Sequence, residues 1–403
     1  MSLTDRYARS LEHLARAEQV IPLGAQTFSK SRTQYPVGAA PHFAVRSAGS
    51  HTWDIDGNEY VDLVSSLGAV VLGYADPEID EAVVRQLRDG VTLSLSHPIE
   101  AEVAERMVDL IPCAEKVRFG KNGSDATSAA IRLARSYTGR SRVVALTVSV
   151  PYNDAPALAA VLAEGDVAAV IMEPMTSTWP AEGYLAEVRR LTREAGTVLV
   201  FDEMLTGFRF APGGAQEYFG VTPDLAAFGK ALANGMPLSA IVGRADILDE
   251  MPRIFFSGTY GGETLSLAAA RVVLDRMATG EPTRMLAQTG QELVDLVDAQ
   301  RPAASRDVLE FVGHPSWIFH RWSIEDDEVL AQAKTLLLQE MLRRGVLVLA
   351  THDVTTAFTQ ADLEVVARAY AESLGVVMNG LERGDLLGLL ECEPIRPLFR
   401  VRS

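Results

Sequence analysis

Two residues that could do chemistry together, Asp202 and Lys230, each follow a short run of apolar residues. Residues 198–201 lead into Asp202, and residues 225–228 come shortly before Lys230. Such runs are typical of buried parallel strands, and open α/β sheets bind their ligands at the carboxyl ends of the strands. A lysine can form a Schiff base with the aldehyde of pyridoxal phosphate, and a carboxylate can keep the pyridine nitrogen protonated. The alternative is a surface aspartate and a surface lysine that merely flank core strands, because charges there are common.

The residues around this pair resemble a known family. Asp-Glu-Met-Leu-Thr-Gly-Phe-Arg begins at Asp202, and Phe-Gly-Lys-Ala-Leu-Ala-Asn-Gly begins at Phe228. Both resemble motifs of the class III aminotransferases, which are fold-type-I enzymes dependent on pyridoxal 5'-phosphate (PLP), and most closely the glutamate-1-semialdehyde aminomutase-like branch. The resemblance runs from about residue 21 to the C-terminus, with one gap. It implies an α/β fold with a large domain, whose mostly parallel sheet has helices on both faces. A smaller α+β domain would be formed by the C-terminal part with the N-terminal segment.

The resemblance also implies roles for residues of these motifs. Lys230 would carry the cofactor as a Schiff base and then move a proton between the substrate Cα and the cofactor. Asp202 would pair with the pyridinium nitrogen. Met204 holds the position at which the family packs a small apolar residue on the face of the ring, although methionine is longer and softer.

A second chemical stretch precedes the helix predicted at residues 126–137. Gly123 and Ser124 stand where that helix begins, and the exposed amides of a helix N-terminus bind anions. Ordinary capping by Ser124 or Asp125 is the alternative. In the resembling family a Gly-Ser or Gly-Thr pair here binds the cofactor phosphate, so Gly123 and Ser124 are the phosphate candidates. Asp125 stands where the family usually has glutamate.

Three further candidates come from loops. The resemblance implies that Thr259, in the small-residue loop 256–262, reaches across a homodimer interface to the cofactor phosphate of the partner subunit. Lys30 and Arg32 lie in an irregular stretch, 26–41, which in the family lies near the mouth of the active site. They are weak candidates for binding a substrate carboxylate, with a solvated loop as the alternative.

The composition of the 403-residue chain, 48% hydrophobic and 22% charged, indicates a large core and favours two domains over one. The net charge of −16 argues against nucleic acid or an anionic membrane as a partner. Cys113 and Cys392 are the only cysteines, which supports neither a disulfide framework nor a thiolate metal site. Because the sequence shows neither a signal peptide nor an apolar run of the ~20 residues that span a bilayer, we expect a cytoplasmic protein.

Strands and helices alternate along the chain, which predicts a parallel sheet with helices on both faces. The predicted strands include 142–146, 167–172, 198–201, 225–228, 239–243 and 317–322, and the predicted helices include 5–20, 77–88, 100–110, 126–137, 186–195, 264–277, 329–344 and 360–373. A change in composition near 300–305 suggests a boundary. The predicted domain ranges are 1–60 for the N-terminal segment, 61–300 for the large cofactor-binding domain and 301–403 for the small domain. Two polar residues that follow strands, Glu173 and His352, are interpreted as structural.

The predicted function is amino-group transfer on a small amino acid, amine, ketone or aldehyde substrate. The partners would be a small-molecule amino donor and acceptor and a second copy of the chain. Two alternatives stay open. The enzyme could move the amino group within one molecule, as the aminomutases do, or the chain could be a catalytically impaired dimer that keeps the fold.

The gap in the resemblance lies between Leu146 and Pro151. In the family a segment of a couple of dozen residues lies here, with an aromatic-His-Gly motif whose aromatic ring stacks on the cofactor. No such motif occurs in the 403 residues. Either the segment belongs to the protein but not to these residues, or the natural chain lacks it and holds the cofactor in an open pocket. A splice from strand to strand is awkward in a parallel sheet, which favours the first explanation.

Overall fold

The computed structural model describes residues 3–144 and 149–396. Within those stretches no helix is both long enough and apolar enough to cross a bilayer. The cytoplasmic location stays a prediction.

The secondary structure of the described residues follows the predicted pattern in the central strands, but the helix at Glu281–Gln300 was not predicted and the helix predicted at 360–373 continues to Arg383. The helices are α1 (Leu3–Arg6), α2 (Ala8–Ala17), α3 (Ser65–Gly68), α4 (Pro77–Asp89), α5 (Ile99–Leu110), α6 (Gly123–Thr138), α7 (Ala155–Leu162), α8 (Tyr184–Glu194), α9 (Ala215–Phe219), α10 (Ala245–Leu248), α11 (Met251–Ile254), α12 (Thr264–Met277), α13 (Glu281–Gln300), α14 (Asp327–Arg343) and α15 (Gln360–Arg383). The strands are β1 (Ala44–Ala48), β2 (His51–Asp54), β3 (Glu59–Asp62), β4 (Lys116–Gly120), β5 (Arg142–Val144), β6 (Val167–Met172), β7 (Val198–Asp202), β8 (Leu225–Phe228), β9 (Ser239–Gly243), β10 (Leu309–His314), β11 (Trp317–Trp322), β12 (Val346–Leu347) and β13 (Thr351–His352). Short 3-10 turns lie at Pro22–Gly24, Phe28–Lys30, Lys230–Ala233, Ala303–Asp307 and Leu387–Leu389.

The chain divides into two compact units. The terminal unit consists of residues 1–67, 73–75 and 288–403, and the central unit of residues 68–72 and 76–287. The predicted domain ranges stay a prediction. The N-terminal and C-terminal parts belong to one unit because β12, from the C-terminal part, pairs in parallel with β3, from the N-terminal part.

The central unit contains a six-stranded sheet with the order β4-β9-β8-β7-β6-β5. Strands β5 to β8 are mutually parallel, whereas β9 runs antiparallel to both of its neighbours. All of β8, and all of β7 except Asp202, is buried, as expected for strands covered on both faces. The predicted α/β fold with a mostly parallel sheet is confirmed.

Helix α6 packs closely against this sheet because its inner face carries small residues. Ala126, Ala129, Ala130 and Ala134 share one core cluster with Val200 and other buried residues of the sheet. Alanines at this spacing face the same side of a helix, so the backbone of α6 can approach the strands. The packing sets where the N-terminus of α6 lies relative to the strand ends.

The terminal unit contains two smaller sheets. One has the order β1-β2-β3-β12, and the other has the order β10-β11-β13. Strands β2 and β3 form a hairpin whose connection includes Gly57 at φ 91°, a conformation that favours glycine. The participation of both chain ends confirms that the C-terminal part and the N-terminal segment build this part of the fold together.

Three polar side chains, His320, His352 and Tyr370, contact one another inside the terminal unit. Nε2 of His320 lies 3.2 Å from Nε2 of His352 and 2.8 Å from the Tyr370 hydroxyl, which is 2.6 Å from Nε2 of His352. Burial lowers the pKa of His320 to about 3, with smaller contributions from the charges of Lys334 and Arg301. Burial also lowers the pKa of His352 well below its usual value. Both rings are therefore neutral near pH 7 and serve as uncharged hydrogen-bonding groups.

This cluster predicts how stability depends on pH. The unfolded chain takes up protons at the ordinary histidine pKa of about 6.5, whereas the folded protein resists protonation until the pH is far lower, so the free energy of unfolding should fall as the pH decreases from about 7 to about 4. His320→Gln should make that dependence shallower, as measured by urea unfolding at several pH values. Part of the pH dependence would remain in the variant, because burial also lowers the pKa values of His42 and His314 to about 4. An unchanged slope in the variant would contradict the prediction.

Candidate active site

Three neighbouring strand ends meet at one edge of the central sheet. Strand β7 ends at Asp202, between β6, which ends at Met172, and β8, which ends at Phe228, and the three strands are parallel. Glu173 directly follows β6, and Lys230 follows β8 after one glycine. The fold thus brings two acids and a lysine to the same edge, where α/β sheets bind their ligands.

Asp202 is partly buried and is oriented by the backbone. Its Oδ1 accepts a hydrogen bond of 3.0 Å from the amide of Met204. Burial raises the pKa of Asp202, whereas the Met204 amide and the charge of Lys230 lower it. The carboxylate of Asp202 and the ammonium of Lys230 therefore interact electrostatically at this edge of the sheet.

Glu173 is a third ionisable group at the same place. Burial raises its pKa, the charge of Asp202 raises it further, and the charge of Lys230 opposes both effects. The interpretation of Glu173 as structural stays a prediction, although its carboxyl interacts electrostatically with Asp202 and Lys230. A signal for this proximity was available in the sequence, because Glu173 follows an apolar strand in the same way as Asp202.

The backbone at Lys230 is unusual. Its φ of 43° lies in the left-handed region, which costs about 1–3 kcal/mol in a residue other than glycine and persists where the surroundings enforce it. The following 3-10 turn is held by Asn234, whose Oδ1 accepts hydrogen bonds from the amides of Val71 and Leu72 at 2.9 and 3.0 Å. Lys230 thus starts from a rigid backbone rather than a mobile loop.

The N-terminus of α6 presents free amides. Oδ2 of Asp125 accepts hydrogen bonds from the amides of Lys121 and Asn122 at 2.8 and 2.9 Å. Among the described residues, the amides of Gly123 and Ser124 have no acceptor. Asp125 therefore serves as a capping residue, and the next two N–H groups stay available to an anion.

Met204 connects this helix end to the lysine loop. A Cβ atom added at Gly123 would lie 3.1 Å from the Met204 sulfur, and one added at Gly229 would lie 2.7 Å from it. The side chain of Met204 thus packs against both glycines. The structure brings together Gly123, Asp202, Met204 and Lys230, and their roles towards a cofactor stay a prediction.

Two charged residues of the same motif are structural. Glu203 is fully buried, and its carboxylate accepts hydrogen bonds from the Thr206 hydroxyl and from the amides of Ala215 and Gln216, the latter two at 2.9 Å. Arg209 is also fully buried, and its Nη2 donates a 2.9 Å hydrogen bond to the carbonyl of Gly68. These bonds hold the loop after Asp202 in place, which sequence reasoning did not foresee.

Thr259 lies elsewhere in the central unit, in the lining of a cavity of about 490 Å³. Residues 92–96, Arg118 and Phe119 line the same cavity. The guanidinium of Arg118 donates a 3.2 Å hydrogen bond to the carbonyl of Phe256. Thr259 is thus grouped with Thr92, Ser94 and Ser96, hydroxyl-bearing residues of its own chain.

Lys30 and Arg32 both lie in the terminal unit. Arg32 forms an ion pair with Glu18. Lys30 donates a 3.4 Å hydrogen bond from Nζ to Oγ of Ser66. Ser66 belongs to a strained turn, in which Ser65, Ser66 and Leu67 have φ values of 45°, 53° and 62°. Strain of this kind gathers at functional sites, which sets Lys30 apart from Arg32.

The gap expected between Leu146 and Pro151 cannot be placed on this framework. Strand β5 ends at Val144, and residues 145–148 lie outside the described residues. The two explanations for the gap therefore stay open.

Comparison with known proteins identifies the family. The family Aminotransferase class-III matches residues 34–150 and 152–363, which is well over half of the chain. The chain belongs to the class-III aminotransferases. This confirms the resemblance on which the predicted fold, the enzymatic amino-group transfer and the cofactor PLP depend.

Individual relatives agree with that assignment. The glutamate-1-semialdehyde 2,1-aminomutase of Aquifex aeolicus is 33% identical, with 69% of this chain and 76% of the relative covered. The enzyme with the same name in Syntrophobacter fumaroxidans is also 33% identical, with coverages of 82% and 88%. Among solved structures, the FumI protein of Sphingopyxis sp. MTA144 in its PLP internal aldimine form has a TM-score of 0.87 at 27% identity, over 96% of this chain and 99% of that one. A β-phenylalanine aminotransferase from Variovorax paradoxus has a TM-score of 0.83 at 26% identity, with coverages of 94% and 97%.

The residues at the sheet edge fit PLP. The cofactor needs an amine for its aldehyde, an acid for its ring nitrogen and donors for its phosphate. Lys230 and Asp202 have the first two groups, and the free amides of Gly123 and Ser124 have the third. No part of this set requires a metal, and the described residues contain no group of three or more acidic, histidine or cysteine side chains placed to hold one.

Gly123→Ala tests the helix end directly. The added Cβ would lie 3.1 Å from the Met204 sulfur and would crowd the amides, so we expect the affinity for PLP to fall at least five-fold. Overpacking of this kind costs about 1–3 kcal/mol. Gly375→Ala is the matched control, because a Cβ there meets open space. Equilibrium dialysis of the cofactor-free enzymes measures the effect, and equal affinities in the two variants would contradict it.

Proposed function

We propose that this class-III aminotransferase moves amino groups through Lys230 and Asp202, between a small amino acid or amine and a ketone or aldehyde. The observation that carries the proposal is their arrangement at the carboxyl ends of adjacent strands, beside a helix N-terminus with free amides. An acid and a lysine that merely flank core strands would not need this anion site beside them.

Each residue of the site then has a distinct task. PLP, when bound, supplies an aldehyde that reacts with amines and a ring that withdraws electrons. Lys230 would hold the cofactor through its amine and would move a proton to and from the substrate Cα. Asp202 keeps the ring nitrogen protonated, and the amides of Gly123 and Ser124 hold the phosphate. Met204 supports one face of the ring.

Lys230 can be tested by chemical trapping. Borohydride should reduce the bond between cofactor and enzyme, leaving the label on the peptide that contains Lys230. Lys230→Ala should bind PLP without a covalent bond and show no turnover. Peptide mapping decides the matter, and a label on another lysine would contradict the assignment.

Asp202→Asn tests the electron-withdrawing role. An amide cannot stabilise a positively charged ring nitrogen as a carboxylate does, so we expect a folded, PLP-containing enzyme whose kcat falls by orders of magnitude. Asp246→Asn, which changes an exposed acid paired with Arg244, is the matched control and should keep nearly full activity. If both variants are equally active, Asp202 is only a charge at the end of a strand.

Aminomutase activity is the second candidate. The relatives from Aquifex aeolicus and Syntrophobacter fumaroxidans are glutamate-1-semialdehyde 2,1-aminomutases, whereas the Variovorax paradoxus structure is an aminotransferase. The motifs around Asp202 and Lys230 serve either activity. The need for a separate amino acceptor separates them, because an aminomutase converts its substrate without one.

Lys30 is the better of the two substrate candidates. The Lys30 ammonium donates a long hydrogen bond to Ser66, whereas the guanidinium of Arg32 is already paired with Glu18. The strained turn beside Lys30 is a further indication of function. We assign Lys30 to the substrate carboxylate and Arg32 to local structure.

A homodimer would complete the site. The loops that line or adjoin the Thr259 cavity expose large apolar side chains, with Leu95 and Phe255 each 84% exposed and Tyr260 62% exposed. Clustered exposed apolar residues mark protein contacts, and two-fold dimers are the commonest oligomers. In this arrangement Thr259 would reach the phosphate at the partner's site.

Complementation tests the dimer. Lys230→Ala and Thr259→Ala chains should each be impaired, whereas mixing them after reversible dissociation should restore part of the activity, because one hybrid site contains both intact residues. Sedimentation measures the oligomeric state in parallel. A fully active monomer would contradict the assignment of Thr259.

A further inference from the structure

A second cavity, a groove of about 830 Å³, lies within the terminal unit. It is lined by one face of α14, by the end of β11, by residues 348–350 and by Thr33 and Gln34. None of the residues assigned above to PLP lines it. Its volume falls within the range of about 300–1,000 Å³ that is usual for small-molecule sites.

Much of the groove wall is apolar. Leu330, Leu337 and Leu338 lie on the face of α14 that lines it, and Val348 lies across from them in the next segment of the chain. The ring of Trp322, at the end of β11, forms another part of the wall. A ligand with a flat or branched apolar body would therefore remove both its own surface and this wall from water.

The groove also contains a cation without an acidic partner. Lys334 lies one helical turn beyond Leu330 on the same face of α14, and its ammonium forms no hydrogen bond or ion pair within residues 3–144 and 149–396. Glu328, near the start of α14, is paired with Arg396 at 2.8 Å. Asp327 lies seven residues before Lys334, which is about 10 Å along a helix axis.

Lys334 has a second cation and a neutral ring among its neighbours, and burial lowers the pKa of its ammonium. The charges of Lys334 and Arg301 both reach the ring of His320, which also lines the groove. His320 is held neutral in its cluster, so it offers hydrogen-bonding capacity but no negative charge. An anion entering the groove would meet the ammonium of Lys334, while the two acids that also line the groove, Asp327 and Glu328, lie near the start of α14.

We propose that this groove binds a small amphipathic anion. Its apolar body would lie against Trp322 and the leucines of α14, and its carboxylate, sulfonate or phosphate would pair with Lys334. The site is separate from amino-group transfer, and the proposal holds whichever reaction the enzyme catalyses.

A pair of dyes provides a sharp test. The probe 1-anilinonaphthalene-8-sulfonate is an aromatic anion, and N-phenyl-1-naphthylamine is the same ring system without the sulfonate. The folded, PLP-loaded enzyme should bind the sulfonate at one site per chain, with energy transfer from tryptophan that Trp322→Phe reduces. Lys334→Gln should weaken its binding at least five-fold, and Lys334→Arg should restore it. The uncharged dye should bind more weakly and should not respond to Lys334→Gln.

Arg321→Gln is the matched control. It removes one positive charge from the residue beside Trp322, but Arg321 is paired with Glu310 and does not line the groove. Its affinity for the sulfonate should equal that of the unmodified enzyme. Equal losses in Lys334→Gln and Arg321→Gln, or equally tight binding of the uncharged dye, would overturn the proposal.

Discussion

The parallel register of β6, β7 and β8 is the constraint on which the rest of the active site depends. A strand exposes alternate side chains on opposite faces, so a slip of one residue would turn Asp202 away from the lysine loop. The buried apolar residues of β7 and β8 prevent that slip, since moving them would unpack the core. The burial that stabilises the sheet thus also fixes the position of Asp202 relative to Lys230.

Two adjacent acids of one motif, Asp202 and Glu203, lie in different environments as a result. Asp202 stays partly accessible and interacts with Lys230, whereas Glu203 points into the interior and bonds to Thr206, Ala215 and Gln216. A buried carboxylate is costly unless hydrogen bonds satisfy it, and Glu203 has several. The same burial that makes Glu203 a support for its loop would disable it as a ligand for a cofactor.

The terminal unit uses buried polar groups in a similar way. Asp62 accepts hydrogen bonds from the amides of Val64 and Ser65 and from the hydroxyls of Thr52 and Tyr74, at 2.8 to 3.0 Å. These bonds hold the strained turn beside Lys30. The neutral histidine cluster likewise brings no negative charge to Lys334. Buried polar groups of this unit thus determine the surroundings of both Lys30 and the groove.

Local patterns determined much of this protein. Apolar runs predicted the central strands, helix signals predicted where α6 begins, and the residues at those ends identified Asp202, Lys230 and Gly123 as candidates, because each signal lies within a few neighbouring residues. The antiparallel direction of β9 and the continuation of α15 past Ser373 were not foreseen. The place of Glu173 beside Asp202 and the pairing of Arg32 with Glu18 were also missed. Only the tertiary structure decided these features, because each depends on contacts between segments that the local pattern does not encode.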